Sequence, residues 1–153
     1  MRPYTDGYSR TSLRLTTAVA AGKLMGRASR ALKLGGGTTL PGALASRIEP
    51  RFIPRLAAQL PRGVILVTGT NGKTTTARMT SAVLRHALLR PVHNRAGANL
   101  LNGIASALVQ AADPLGRISA HIGLFEVDEA TLPAAVEALT PRIVVLTNLF
   151  RDQ

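Results

Sequence analysis

VTGTNGKTTT, residues 67–76, decides how this chain folds. It follows the apolar run GVIL (63–66) and precedes a stretch with helical apolar spacing. Gly69 and Gly72 permit a tight turn that points backbone N–H groups into a concavity. The N-terminus of the following helix adds partial positive charge. Lys73 can reach phosphate oxygens, and the Thr74 hydroxyl suits Mg²⁺. Thr70, Asn71 and Thr75 complete a cradle for a nucleotide polyphosphate. The frame is shorter than the general G-x-x-x-x-G-K-[ST], because Val67 stands where that pattern has its first glycine.

Outward from the loop, strands and helices alternate. Strands are expected at 64–67, 90–94, 121–127 and 142–148. Helices are expected at 74–89 (with Met79, Val83 and Leu84 on the apolar side), 98–112 and 130–139. Apolar strands separated by helices imply an α/β fold with a parallel sheet covered on both faces. Ligands of such sheets bind at the carboxyl ends of the strands, where the glycine loop lies.

A second group of polar residues falls at those ends. In HIGLFEVDEA (121–130), Glu126 follows mostly apolar strand, the layout of an acid that holds Mg²⁺ beside a phosphate loop. Asp128 would share its side if the strand persisted, and Glu129 would point away. Asp128 and Glu129 also suit the N-terminus of the next helix. Asn148 ends the last strand and faces the same crevice. His86, His93 and His121 lack metal-ligand spacing, and a lone histidine such as His93 is expected to be structural or solvent-facing.

Residues 1–62 read as a basic helical segment, and residues 63–153 as the nucleotide-binding unit. The first holds eleven Lys and Arg against two acids, the second eight against six, so the basic excess is N-terminal. That charge favours anionic lipid headgroups, nucleic acid or an acidic partner. A basic solubilising helix is the simpler reading. Residues 12–33 carry Leu15, Val19, Met25 and Leu32 at helical spacing, with Gly22 and Ala28 filling the stripe. GGGTTLPG (35–42) should break regular structure, and two short helices punctuated by Pro50 and Pro54 should follow. No cysteine is present, which excludes disulfides and thiolate metal sites in this span. No apolar run is long enough to cross a bilayer. The Arg-rich, acid-poor start superficially suits a transit peptide.

VTGTNGKTTT resembles the ATP-binding loop of the Mur ligases, including its shorter glycine frame. FEVDE (125–129) resembles their strand-end Mg²⁺ glutamate. TNLFRDQ (147–153) is similar to their N-x-x-x-D-H segment, with Gln153 in place of the usual histidine. HNRAGANLLNGIASAL (93–108) and GGGTTLPG narrow the likeness to MurT-type subunits of lipid II isoglutaminyl synthases. The resemblance implies a Mur ligase central domain, incomplete at Gln153. It implies ATP and Mg²⁺ as cofactors, with zinc only in a downstream part. Lys73 would serve catalysis, Thr74 and Glu126 would hold the metal, and Asn99 and Asn148 would line the crevice. The implied reaction amidates the D-glutamate α-carboxylate of the lipid II stem peptide through an acyl phosphate. Ammonia would come from a GatD-like glutamine amidotransferase subunit. The setting would be bacterial cytoplasm near the inner membrane face, and this stretch alone should be inactive.

Two other enzyme readings are another Mur-like ligase, such as a folylpolyglutamate synthase, and an unrelated P-loop kinase or ATPase. A nucleic-acid-binding module lacks support, since aromatics are 3% of the chain.

Overall fold

The computed structural model describes residues 12–31, 39–94, 98 and 100–148. Three helices come first: α1 (Leu13–Ala31), α2 (Leu40–Ile48) and α3 (Phe52–Ala57). Then β1 (Val64–Thr68), α4 (Lys73–His86), β2 (Pro91–His93), α5 (Leu101–Ala111) and β3 (Ile122–Glu126) follow. A 3₁₀ turn (Glu129–Thr131) leads into α6 (Leu132–Leu139) and β4 (Ile143–Leu146).

The four strands form one parallel sheet in the order β2-β3-β1-β4. Val67 pairs with Glu126 across β1 and β3, and Thr68 with Leu146 across β1 and β4. The strands therefore end level, and their carboxyl ends gather on one rim. Successive residues of β1 serve opposite faces. Val64 and Leu66 join the larger core with Phe125, Phe52, Leu56, Ile104 and Leu108. Ile65 and Val67 join a smaller one with Ala77, Ile122 and Leu124 beneath α4.

The larger core includes Leu15 and Val19 of α1, so the basic N-terminal helices pack with the sheet's own helices. Helix α2 crosses α5 at close range. The Gly42 N–H donates to Ser106 Oγ at 2.8 Å, and a Cβ on Gly42 would collide with the α5 backbone at Asn102 and Ser106. At the α2–α3 corner, buried Glu49 accepts from the Arg51 N–H (3.1 Å) and the Arg55 guanidinium (2.9 Å).

Several expectations need correction. Pro41 and Gly42 lie inside α2, because a proline in the first turn lacks only an N–H that the helix leaves unbonded anyway. Residues 35–38 and Leu32 lie outside the described residues. Pro54 sits within the first turn of α3 for the same reason. The buried stripe of α1 is Leu15, Ala18, Val19, Gly22, Gly26 and Ser29, while Met25 and Ala28 face outward. On α4, Ala77 and Ser81 face the sheet; Met79 and Val83 are 66% and 69% exposed. A helix laid closely on a sheet favours small residues beneath it. Finally, β4 is not covered: Val144 and Leu146 on one face and Ile143 on the other are each about half exposed.

Candidate functional site

The loop between β1 and α4 is fastened to the end of β4. Gly69 has φ +128°, and a Cβ there would press into the Thr147 hydroxyl and the Asn148 backbone. The Thr147 hydroxyl lies 2.6 Å from the Asn71 carbonyl oxygen and 3.2 Å from that of Thr68. The Asn71 N–H donates to Asn148 Oδ1 at 3.0 Å. Asn148 thus holds the loop itself. Gly72, with φ +84°, precedes α4, whose first internal bond here runs from the Thr76 N–H to the Gly72 carbonyl. The N–H groups of Lys73, Thr74 and Thr75 consequently have no acceptor within the helix. No acid occupies the first turn to offset the helix dipole. Such a helix start suits an anion.

Glu126 ends β3 with its side chain 1% exposed. Its Oε2 accepts from the Thr74 hydroxyl at 2.6 Å, and its Oε1 lies 3.1 Å from His93 Nε2. Asn94 fixes the backbone behind it. Asn94 Oδ1 accepts from the Glu126 N–H, and Asn94 Nδ2 donates to the Glu126 carbonyl, both at 2.8 Å. The same amide group reaches the Ala98 carbonyl at 2.8 Å. A primary amide beyond the end of β2 thereby continues the ladder for one more residue and aims the carboxylate at the loop. Burying a carboxylate is costly unless it is bonded or near positive charge, and Glu126 has both oxygens engaged.

Lys73 curls over its own loop. Its ammonium donates to the Gly69 carbonyl at 2.5 Å and lies 3.4 Å from that of Thr70. Asp128 and Glu129 stand 3.6 and 3.9 Å from it. Strand β3 stops at Glu126, so the alternation that would send Glu129 away does not apply; both acids turn toward Lys73. Asp128 sits at the cap position of the 3₁₀ turn without a side-chain capping bond.

The predicted residues Gly69, Thr70, Asn71, Gly72, Lys73, Thr74, Thr75, Glu126 and Asn148 therefore share one rim. Asn99 and Gln153 lie outside the described residues. His93, expected to be structural or solvent-facing, ends β2 with its ring against the Glu126 carboxylate, and Asn94 beside it was given no role, since neither a strand-end histidine nor the amide after it carries a spacing signal. His121 is structural: its Nδ1 accepts from the Arg90 N–H at 3.1 Å. Among the described residues, no three His, Cys, Asp or Glu side chains cluster as a metal site. The Thr74 hydroxyl and Glu126 carboxylate are hard oxygen donors, which suit a cation bound with few protein ligands. A cavity of about 350 Å³ runs along β2 and α5 and has His93 in its wall.

Residues 67–152 match the Mur ligase middle domain. The chain is 36% identical over 92% of its length to lipid II isoglutaminyl synthase (glutamine-hydrolyzing) subunit MurT of Staphylococcus aureus strains COL and N315. It is 36% identical over 86% of its length to the protein of the same name from Streptococcus pneumoniae. The chain spans 31% of the length of the S. aureus relatives and 29% of the pneumococcal one. With a phosphate-type loop and a strand-end acid drawn together inside the matched region, this chain belongs to the Mur ligase family.

Proposed function

We propose that the site binds Mg²⁺ and ATP and serves an ATP-dependent amide ligase acting on the lipid II stem peptide; the relatives are named as subunits of lipid II isoglutaminyl synthases. The observation that carries this reading is the 2.6 Å contact between Thr74 and Glu126, which puts a carboxylate and a hydroxyl at the mouth of an anion-binding loop. Thr74 and Glu126 would hold the metal, which supplies charge neutralisation between the phosphates. His93 and Asn94 keep the Glu126 carboxylate aimed. The N–H groups of Lys73, Thr74 and Thr75 bind phosphate oxygens. Lys73 leaves the Gly69 carbonyl and neutralises charge on the transferring phosphoryl group.

In the proposed reaction, an oxygen of the D-glutamate α-carboxylate attacks the γ-phosphorus and ADP departs. Ammonia then displaces phosphate from the acyl phosphate, leaving D-isoglutamine. A glutamine amidotransferase subunit of the GatD type would release that ammonia.

The test has two stages. Calorimetry of the chain with ATP should give Mg²⁺-dependent binding that Lys73→Ala weakens at least tenfold, about 1.4 kcal/mol. In the gene product that carries this chain, paired with an amidotransferase, lipid II should be amidated in an ATP-dependent manner and Lys73→Ala should abolish turnover. Near-normal turnover in that variant would reject the phosphate-loop assignment. ATP binding with no amidation of lipid II would reject the substrate.

A further inference from the structure

Helix α1 is apolar on two opposite sides. Its buried side is made mostly of small residues: Ala18, Gly22, Gly26 and Ser29 accompany Leu15 and Val19. The fit is close, because a Cβ on Gly22 would stand 3.0 Å from the Pro41 carbonyl oxygen and from the Val109 methyls. Two leucines and several small residues face the other way. Leu13, Thr17, Ala20, Leu24, Ala28 and Ala31 succeed one another at intervals of three or four and form a single outer stripe. Leu13 is 85% and Leu24 62% exposed. The Thr17 hydroxyl donates to the Leu13 carbonyl at 2.8 Å, so its polar group is already satisfied within the helix.

Cations border this stripe. Arg14 lies on one side and Lys23, Arg27 and Arg30 on the other; Arg14, Arg27 and Arg30 are exposed. Helix α1 contains no acid, and Asp6 is the single acid in residues 1–48. A helix that presents leucines outward between cations matches the interface of an anionic bilayer. The leucines enter the acyl boundary and the guanidinium groups stay among the headgroup phosphates.

We propose that the outer face of α1 docks this protein onto an anionic membrane surface. Three features favour a bilayer over other occupants. A second copy of α1 would bring Arg14, Arg27 and Arg30 against their like. Nucleic acid would use the cations but leave Leu13 and Leu24 without partners, and α1 has no aromatic side chain for base stacking. The buried side of α1 is occupied by α2 and α5, so docking needs no unfolding. The inference stands on α1 alone and is independent of the ligase reading.

The test uses the full chain with vesicles of equal parts phosphatidylcholine and phosphatidylglycerol, compared with pure phosphatidylcholine. Flotation should recover the protein with the anionic vesicles and not the neutral ones, with release at high salt. Arg27→Gln and Arg30→Gln should each weaken binding about fivefold. Leu24→Ser should weaken it while leaving the far-ultraviolet circular dichroism unchanged. The chain lacks tryptophan, so Leu24→Trp gives a single reporter. Its emission should shift to shorter wavelength with anionic vesicles. Val136→Trp, on α6 beside Glu137, should not shift. Equal recovery with both vesicle types, no recovery with either, an unshifted Leu24→Trp spectrum, or preferential binding to duplex DNA over the anionic vesicles would each overturn the proposal.

Discussion

Gly69 and Gly72 both have positive φ, yet substituting them with alanine should have unequal consequences. At Gly72 a Cβ would meet only the Thr147 Cβ, at 3.9 Å, which is ordinary contact. Gly72→Ala then bears the cost of left-handed backbone alone, about 1–2 kcal/mol. At Gly69 the φ of +128° lies further from anything an L-residue adopts, a strain of about 1–3 kcal/mol. The new methyl must also displace the Thr147 hydroxyl and the Asn148 backbone, which adds about 1–3 kcal/mol of overpacking. The sum is roughly 2–6 kcal/mol, against a total stability of about 5–15 kcal/mol for a typical domain. Urea denaturation followed by circular dichroism measures the difference. With a slope of about 2 kcal/mol/M, a loss of 4 kcal/mol lowers the midpoint by about 2 M. Thr147→Ala removes the hydroxyl in the way, so Gly69→Ala should cost about 1 kcal/mol less in that background, within the usual range for residues in contact. Equal midpoints for Gly69→Ala and Gly72→Ala, or no coupling to Thr147, would refute the close approach of the loop to the end of β4.

Three other outcomes follow from the same geometry. Glu126→Gln should impair Mg²⁺-dependent nucleotide binding far more than Glu129→Gln, because Glu126 meets Thr74 and Glu129 only approaches Lys73; equal effects in a magnesium titration would remove Glu126 from the site. Hydrogen bonds from Arg117, backbone and then side chain, and from the Leu115 N–H hold the Asp113 carboxyl below the ordinary carboxylate range. Its stabilisation is full above an unfolded pKa of about 3.9 and is lost as pH falls through the lower folded value, so the stability gap between the parent and Asp113→Ala should close in acid, and a gap independent of pH would refute the pairing. Val144→Lys on the open strand β4 should reduce self-association in light scattering without lowering the melting temperature; unchanged scattering would clear that edge of blame.

The glycine-rich loop and the elements on either side were legible because local chemistry determines them. Gly69 and Gly72 mark a turn, Lys73 and Thr74 follow at fixed spacing, and the runs before and after have clear periods. The identity of buried faces was less legible. Met79 and Val83 look like core residues at helical spacing, but α4 meets the sheet through Ala77 and Ser81. On α1, Leu15, Val19 and Gly22 lie inward as expected, but Met25 and Ala28 face outward while Gly26 and Ser29 are buried. In both helices the constraint is how near the helix axis comes to its neighbour. Periodicity counts apolar side chains and is blind to that distance. Leu40–Gly42 was misjudged for a related reason: Pro and Gly at a helix start are compatible with the helix, and Gly42 there meets a backbone that no neighbour in sequence announces.

The site has a different kind of hidden information. Thr74 and Glu126 are 52 residues apart and touch at 2.6 Å. Sequence identifies each as lying at an element end, but their contact depends on β3 being the neighbour of β1 and on Val67 pairing with Glu126. One step of register either way would turn Glu126 into the opposite face, because side chains alternate along a strand. The order β2-β3-β1 then brings His93 to the other carboxylate oxygen and Asn94 to the Glu126 backbone. Asn94 is what links register to chemistry. Its amide bonds both backbone groups of Glu126, so the last rung between β2 and β3 and the aim of the carboxylate are set by one side chain. Asn94→Asp keeps the size but replaces the donor to the Glu126 carbonyl with an acceptor. That change should swing Glu126 away from Thr74 and lower Mg²⁺-dependent nucleotide affinity, while Asn94→Ala, which only removes the bonds, should do so less. If Asn94→Asp binds nucleotide as the parent does, Glu126 is aimed by β3 alone and the link between register and site is broken.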